Sequence, residues 1–183
     1  MKREYKDELK DALSYALRIR KMFKNWERTK RHYLHPEQGE AYKNFLLIYC
    51  YGKIEFYFKR ILSDYFLNPN MPQRCISFGN EIRKRFPGSM AKDKLNDWIK
   101  KECSPKWYEE IDKRCKDRNS KCKRNKNYKF NDMYFALTSL TNLRHDLAHG
   151  TKLYSGSPDD LIDYFKKSIV WLYEIDDIIN KIG

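Results

Sequence analysis

Seven consecutive residues near the end of the chain gather an arginine, two histidines and an aspartate: Arg144-His145-Asp146-Leu147-Ala148-His149-Gly150. An arginine keeps its charge and can offer two parallel N–H groups to the oxygens of one phosphoryl or carboxylate group. A histidine, with an ordinary pKa near 6.5, can take up or release a proton at neutral pH. Together they could stabilise charge growing on an oxyanion and move a proton, with no metal required. Arg144 and His149 are the candidate catalytic pair, with His145 and Asp146 in support.

The element that must position them is Asn131 to Gly150, which reads NDMYFALTSLTNLRHDLAHG. Tyr134, Leu137, Leu140, Thr141, Arg144, Leu147 and Ala148 recur at the spacing of one helical face. Asn131 or Asp132 can cap its start, and Gly150 is placed to end it in the left-handed conformation. At about 100° per residue, Arg144 falls between Leu137, Leu140 and Leu147, so its guanidinium is expected inside the apolar arc. Burial there costs several kcal/mol unless a partner compensates. Glu55, on the shoulder of an earlier apolar helix, is the obvious carboxylate. It could orient Arg144 at a functional site or form a structural salt bridge, in which case the basic residues of the last turn would serve mainly the helix dipole. Arg144 and His149 lie five residues apart, or about 140° around an ideal helix, too far to meet side by side. A second copy of the helix from another subunit would supply the missing geometry.

Residues 144–150 resemble the R-x4-H signature of HEPN domains, in which a polar residue follows the arginine and a small residue precedes the histidine. The line LRHDLAHG near a helix end, followed by a loop and one last long helix, is also similar to that family, as more weakly is Glu55 within GKIEFYFK. The resemblance implies a single HEPN-like helical domain over 1–183 that acts as an endoribonuclease on RNA, its Arg144 and His149 meeting the partner's motif across a homodimer cleft. The 2′-hydroxyl would attack, His149 would handle the proton, and Arg144, oriented by Glu55, would hold the phosphoryl oxygens. The expected product is a 2′,3′-cyclic phosphate. The alternative is a non-catalytic HEPN-like module for RNA binding or dimerisation. Small stand-alone proteins of this kind resemble toxin–antitoxin or antiviral-defence components, which implies a neutralising or activating protein partner.

Composition sets the background. With 15% aromatic and 41% hydrophobic residues in 183, the chain can bury a substantial core in one domain. Its net charge of +13 favours polyanionic partners. The five cysteines are irregularly spaced and include no C-x-x-C pair, so reduced thiols are expected rather than a disulfide framework or zinc ribbon. His32 and His35 stand three apart without a third ligand at metal-binding spacing. Neither a metal nor a cofactor is expected. The N-terminus MKREYKDELKD lacks a signal-peptide core, and no run approaches the roughly 20 apolar residues of a membrane span, which predicts a soluble cytoplasmic protein.

The periodicities predict an all-α, up-and-down bundle of about four to five long helices. A first helix over about Lys6 to Lys30 turns Leu9, Ala12, Leu13, Ala16, Leu17, Ile19, Phe23 and Trp26 inward on one broad face. A second, from about Pro36 or Glu40, reaches Phe66 and carries the stripe Leu47, Cys50, Tyr51, Ile54, Phe58, Ile61, Leu62 and Tyr65. Gly52 within it costs about 1 kcal/mol relative to alanine, which suggests close approach of another helix. Two short helices follow, around Ile76 to Phe86 and, capped by Ser89, Ala91 to Glu102. From about 103 to 129 a basic insertion is expected, exposed and partly mobile; Lys113 to Lys129 holds nine basic residues against one acid. Lys121, Lys123, Arg124 and Lys126 are its candidate RNA contacts, with Tyr128 and Phe130 as stacking surfaces. Ser157-Pro158-Asp159-Asp160 is a strong start signal for the last helix, with serine to cap, proline in the first turn and acids at the dipole's positive end.

Overall fold

A computed structural model of the chain describes residues 2–29, 36–84, 90–124 and 133–182. The protein is all-α, and no strand occurs among the described residues. Its helices are α1 (Arg3–Thr29), α2 (Pro36–Phe66), α3 (Gln73–Lys84), α4 (Lys92–Trp98), α5 (Pro105–Arg124), α6 (Met133–Ala148) and α7 (Pro158–Ile182). The seven are a few more than the four to five expected: α1, α2, α6 and α7 are the long helices that the periodicity predicts, α3 and α4 are short, and α5 is a further long one. A π-helical turn, Ile99–Cys103, joins α4 to α5. No helix among the described residues is long and apolar enough to cross a membrane.

The last helix is the post on which the others lean: α7 packs against α6, α2, α5 and α1. The sequence explains why. Leu161, Ile162, Phe165, Ile169, Trp171, Leu172, Ile175, Ile178 and Ile179 are all buried, so α7 is apolar over most of its circumference. Its start follows the expected chemistry, with Ser157 Oγ accepting the Asp159 N–H at 3.1 Å. In the core, Trp171 meets Phe58 of α2 at 5.3 Å between ring centroids, inside the α2 stripe. The helix over 3–29 buries Leu9, Ala12, Ala16, Ile19 and Phe23 as expected, while Leu13, Leu17 and Trp26 of the same expected face are half-buried.

The basic stretch departs from expectation. Residues 105–124 form a helix laid against the bundle, not a loop. Trp107, Ile111 and Cys115, four residues apart, make its buried stripe, and the Trp107 ring sits 5.1 Å from that of Tyr65. Around it the charges are paired. Arg114 reaches Asp177 at 2.6 Å and Glu110 at 2.9 Å, Arg118 Nε donates to Glu174 at 2.6 Å, and Lys116 meets Asp112 at 2.6 Å. Three apolar residues among so many charges give a weak periodic signal; acids on α7 make the burial tolerable. Lys121 is exposed, Lys123 and Arg124 fall in the last turn of α5, and Lys126, Tyr128 and Phe130 lie outside the described residues. So do His32, His35, Ser89, Asn131 and Asp132.

Gly52 also differs. It is exposed, and a β-carbon built on it would meet nothing within 4 Å. The helix expected to approach it is absent among the described residues of the chain.

Candidate functional site

The buried residues of α6 run from Met133 to Thr141 and stop there. In its last two turns Leu143 and Leu147 are half-buried against the core, while Asn142, Arg144, His145 and Ala148 are exposed. This corrects the expected burial of Arg144: Leu147 on the same arc still packs against the core, but the Arg144 side chain is exposed, with its guanidinium over the Tyr51 ring and not inside the apolar seam. The guanidinium carbon stands 5.5 Å from the ring centroid of Tyr51 on α2, a cation–π contact. No carboxylate pairs with Arg144 among the described residues.

Glu55 is not the direct partner. Its carboxylate is salt-bridged to Lys59 at 2.6 Å, one turn further along α2. Tyr51 stands between Glu55 and Arg144. Burial first, then the Glu55 carboxylate, pushes the Tyr51 hydroxyl up to about 12, with Arg144 and a hydrogen bond from the Met90 backbone acting the other way. The expected Glu55–Arg144 pair is thus a three-residue relay with an aromatic ring in the middle. Sequence reasoning read Tyr51 as core only. The available signal was its position four residues before Glu55, on the same side of α2.

The end of α6 is built tightly. Gly150 takes φ +64°, its N–H donates to Leu147 O at 3.2 Å, and the Thr151 N–H donates to Asp146 O at 3.0 Å. These two bonds are the Schellman closure, and they make His149 the C-cap residue of the helix. Thr151 Oγ1 adds a third donor to Asp146 O at 3.0 Å. His149 therefore leaves a fixed backbone, in the open, one turn above His145. The two imidazole rings lie 4.3 Å apart between centroids, tilted by 55°. Asp146 points to the other flank of α6, where with Asn142, Leu143, Leu153 and Tyr164 it lines a cleft of about 430 Å³.

The site residues accordingly fall into three groups: Arg144 on Tyr51, His145 with His149, and Asp146 in the cleft. No hydrogen bond or ring contact joins Arg144 to His149 among the described residues. One chain offers an anion-holding cation and a pair of proton carriers on a single helix end, but does not bring them to one point. No group of three or more His, Cys, Asp or Glu side chains placed to hold a metal ion occurs among the described residues.

A family model described as RiboL-PSP-HEPN matches residues 4–181. No curated protein and no solved structure matches the chain.

Proposed function

Because this chain belongs to the RiboL-PSP-HEPN family, matched over nearly its whole length, we propose that it is a metal-independent endoribonuclease working at a homodimer cleft. The observation that carries this reading is the state of Arg144. Its guanidinium is exposed, steadied on the Tyr51 ring and, among the described residues, paired with no carboxylate, at a helix end that also presents two imidazoles. A cation so placed is available to a phosphate.

RNA brings its own nucleophile. The 2′-oxygen attacks the adjacent phosphorus as its proton passes to an imidazole, His149 being the better placed because it tops the helix. The bond from phosphorus to the 5′-oxygen breaks, and that oxygen takes a proton from a second imidazole, either His145 or the partner's His149. A 2′,3′-cyclic phosphate and a free 5′-hydroxyl result. Two N–H groups of Arg144 hold the non-bridging oxygens as charge grows on them. Glu55 acts at one remove, through Tyr51. A second reading, a module that binds RNA or dimerises without cutting, draws support from the distance between Arg144 and His149 within one chain.

The test is cleavage of a short RNA in excess chelator. Product ending in a 2′,3′-cyclic phosphate, blocked by a 2′-deoxy substitution at the scissile position, is the expected result. His149→Ala should lower the rate by roughly 10²–10⁴-fold, the usual contribution of a proton-transfer group. An inactive parent that still binds RNA would leave the second reading standing. A toxin or defence role would show as growth arrest on expression, relieved by a neutralising partner.

A further inference from the structure

Four large apolar side chains of α2 face solvent: Tyr42, Phe45, Ile48 and Phe56, at 36%, 49%, 55% and 51% exposure. With Gly52 they fall within an arc of about 120° at 100° per residue, so they are one face and not scattered exceptions. On one flank of this face lies α1, whose Tyr15 ring is 5.0 Å from that of Tyr49. On the other lies α6, with Arg144 over Tyr51. The face is thus a ridge between two helices, interrupted by a glycine above which there is open space. A glycine in mid-helix costs about 1 kcal/mol relative to alanine, and no group among the described residues uses the gap it leaves.

Resting on the composite-site reading above, we propose that two copies of this chain dock antiparallel through the outer face of α2, Phe45 of each seated over Gly52 of the other. The stripe runs from Tyr42 to Phe56 and is centred on Tyr49. An antiparallel pairing about that centre sets Tyr42 against Phe56, and brings Phe45 to within one residue of rise, about 1.5 Å, of the level of Gly52, and Ile48 as close to that of Tyr49. Each large side chain then meets its complement, and the open glycine receives a ring. The four side chains offer on the order of 350–400 Å² per protomer, close to half of the roughly 800 Å² a standard interface takes from each partner. The flanks of α1 and α6 supply the rest.

Symmetry then does what one chain cannot. An isologous antiparallel pair has its two-fold axis perpendicular to both helices and to the line between them. Such an axis leaves both α6 helices on the same side of the seam, facing each other; a parallel pair would send them to opposite sides. The level also agrees. Arg144 sits over Tyr51, while the loop beyond α6 is tied to the start of α2 by a Tyr154 N–H to Asn44 Oδ1 bond at 3.4 Å. Reversal about Tyr49 brings the partner's Asn44 end, with its imidazoles, to the level of Arg144. Single-stranded RNA stacking on these aromatics is the rival occupant. The glycine favours a second helix, because a base needs a ring to stack on and not a gap.

Sedimentation and cysteine cross-linking test the seam without reference to cleavage. The parent should be a dimer at tens of micromolar. Gly52→Gln, which favours the helix but fills the seat, and Ile48→Glu, exposed in the protomer, should both give folded monomers by circular dichroism and sedimentation. Ile48→Cys lies beside the axis and should form a disulfide with its own copy. Phe56→Cys should not, because its copies would stand about 20 Å apart, but it should link to Tyr42→Cys in a mixture; the parent, with its native cysteines, is the control. A monomeric parent, variants that stay dimeric, or Phe56→Cys linking to itself would each overturn the proposal. So would loss of RNA affinity in the two disrupting variants with the dimer intact. A dimer with these cross-links and no cleavage would uphold the seam and remove the nuclease reading; cleavage by a monomer would do the reverse.

Discussion

Arg144 shows how far a helical wheel can be trusted. The wheel gives its direction correctly, because Leu137, Leu140 and Thr141 on the same arc are buried. It cannot say where a long stem will carry its charge: the Arg144 guanidinium lies out over the Tyr51 ring, while Leu147 on the same arc still packs against the core. The distinction has a measurable size. A buried structural arginine paired to Glu55 would cost about 3–5 kcal/mol on truncation, through the uncompensated charge left behind. An exposed one resting on a ring should cost less than about 1 kcal/mol. Urea denaturation of Arg144→Ala is therefore expected to match the parent within that margin while RNA cleavage disappears. A loss of several kcal/mol would return Arg144 to a structural role. Arg144→Lys keeps the charge but offers no planar fork, so it should recover RNA binding better than cleavage.

At the scale of elements, the starts and stops of the last two helices were the most legible features. Gly150 and Ser157 each have a backbone reason to be where they are, and both behave as their chemistry predicts. Gly150→Ala should be destabilising by about 1 kcal/mol or more, because a β-carbon is strained at φ +64°; it should also slow cleavage by loosening the turn from which His149 projects. Least legible was α5, whose charges hid its stripe of Trp107, Ile111 and Cys115. What holds it is a clasp to α7 that responds to acid. Lys181 first and Arg114 second hold the Asp177 carboxyl down to about 2, against about 3.9 for a free aspartate. Its folded-state pKa is depressed, so its contribution is complete above about pH 4 and fades as the pH falls toward 2. Stability of the parent should drop across that window, and Asp177→Asn should drop less steeply, starting from a lower plateau. Identical acid profiles would mean that the clasp carries no net stability.

The whole molecule carries a net charge of +13, and its distribution matters more than its size. Near the middle of α5, Arg114, Lys116 and Arg118 are engaged with acids, so they are poor candidates for phosphate contacts however basic the sequence looks. Lys121 is exposed beyond the clasp, and Lys123, Arg124 and Lys126 follow it in the chain. If RNA draws on these four, replacing them together by serine should weaken binding and reduce the slope of log affinity against log salt. For a single strand the reduction is about 0.7 for each phosphate no longer neutralised by the protein. Replacing Arg114 and Arg118 instead should leave that slope nearly unchanged and lower the unfolding midpoint, because their charge is spent on α7. The two sets differ little in net charge per residue replaced, so a general electrostatic attraction would make both flatten the slope alike. Divergence between them, read by fluorescence anisotropy across a salt series, is the expected result; equal slopes would mean that RNA senses the total charge and not this end of α5.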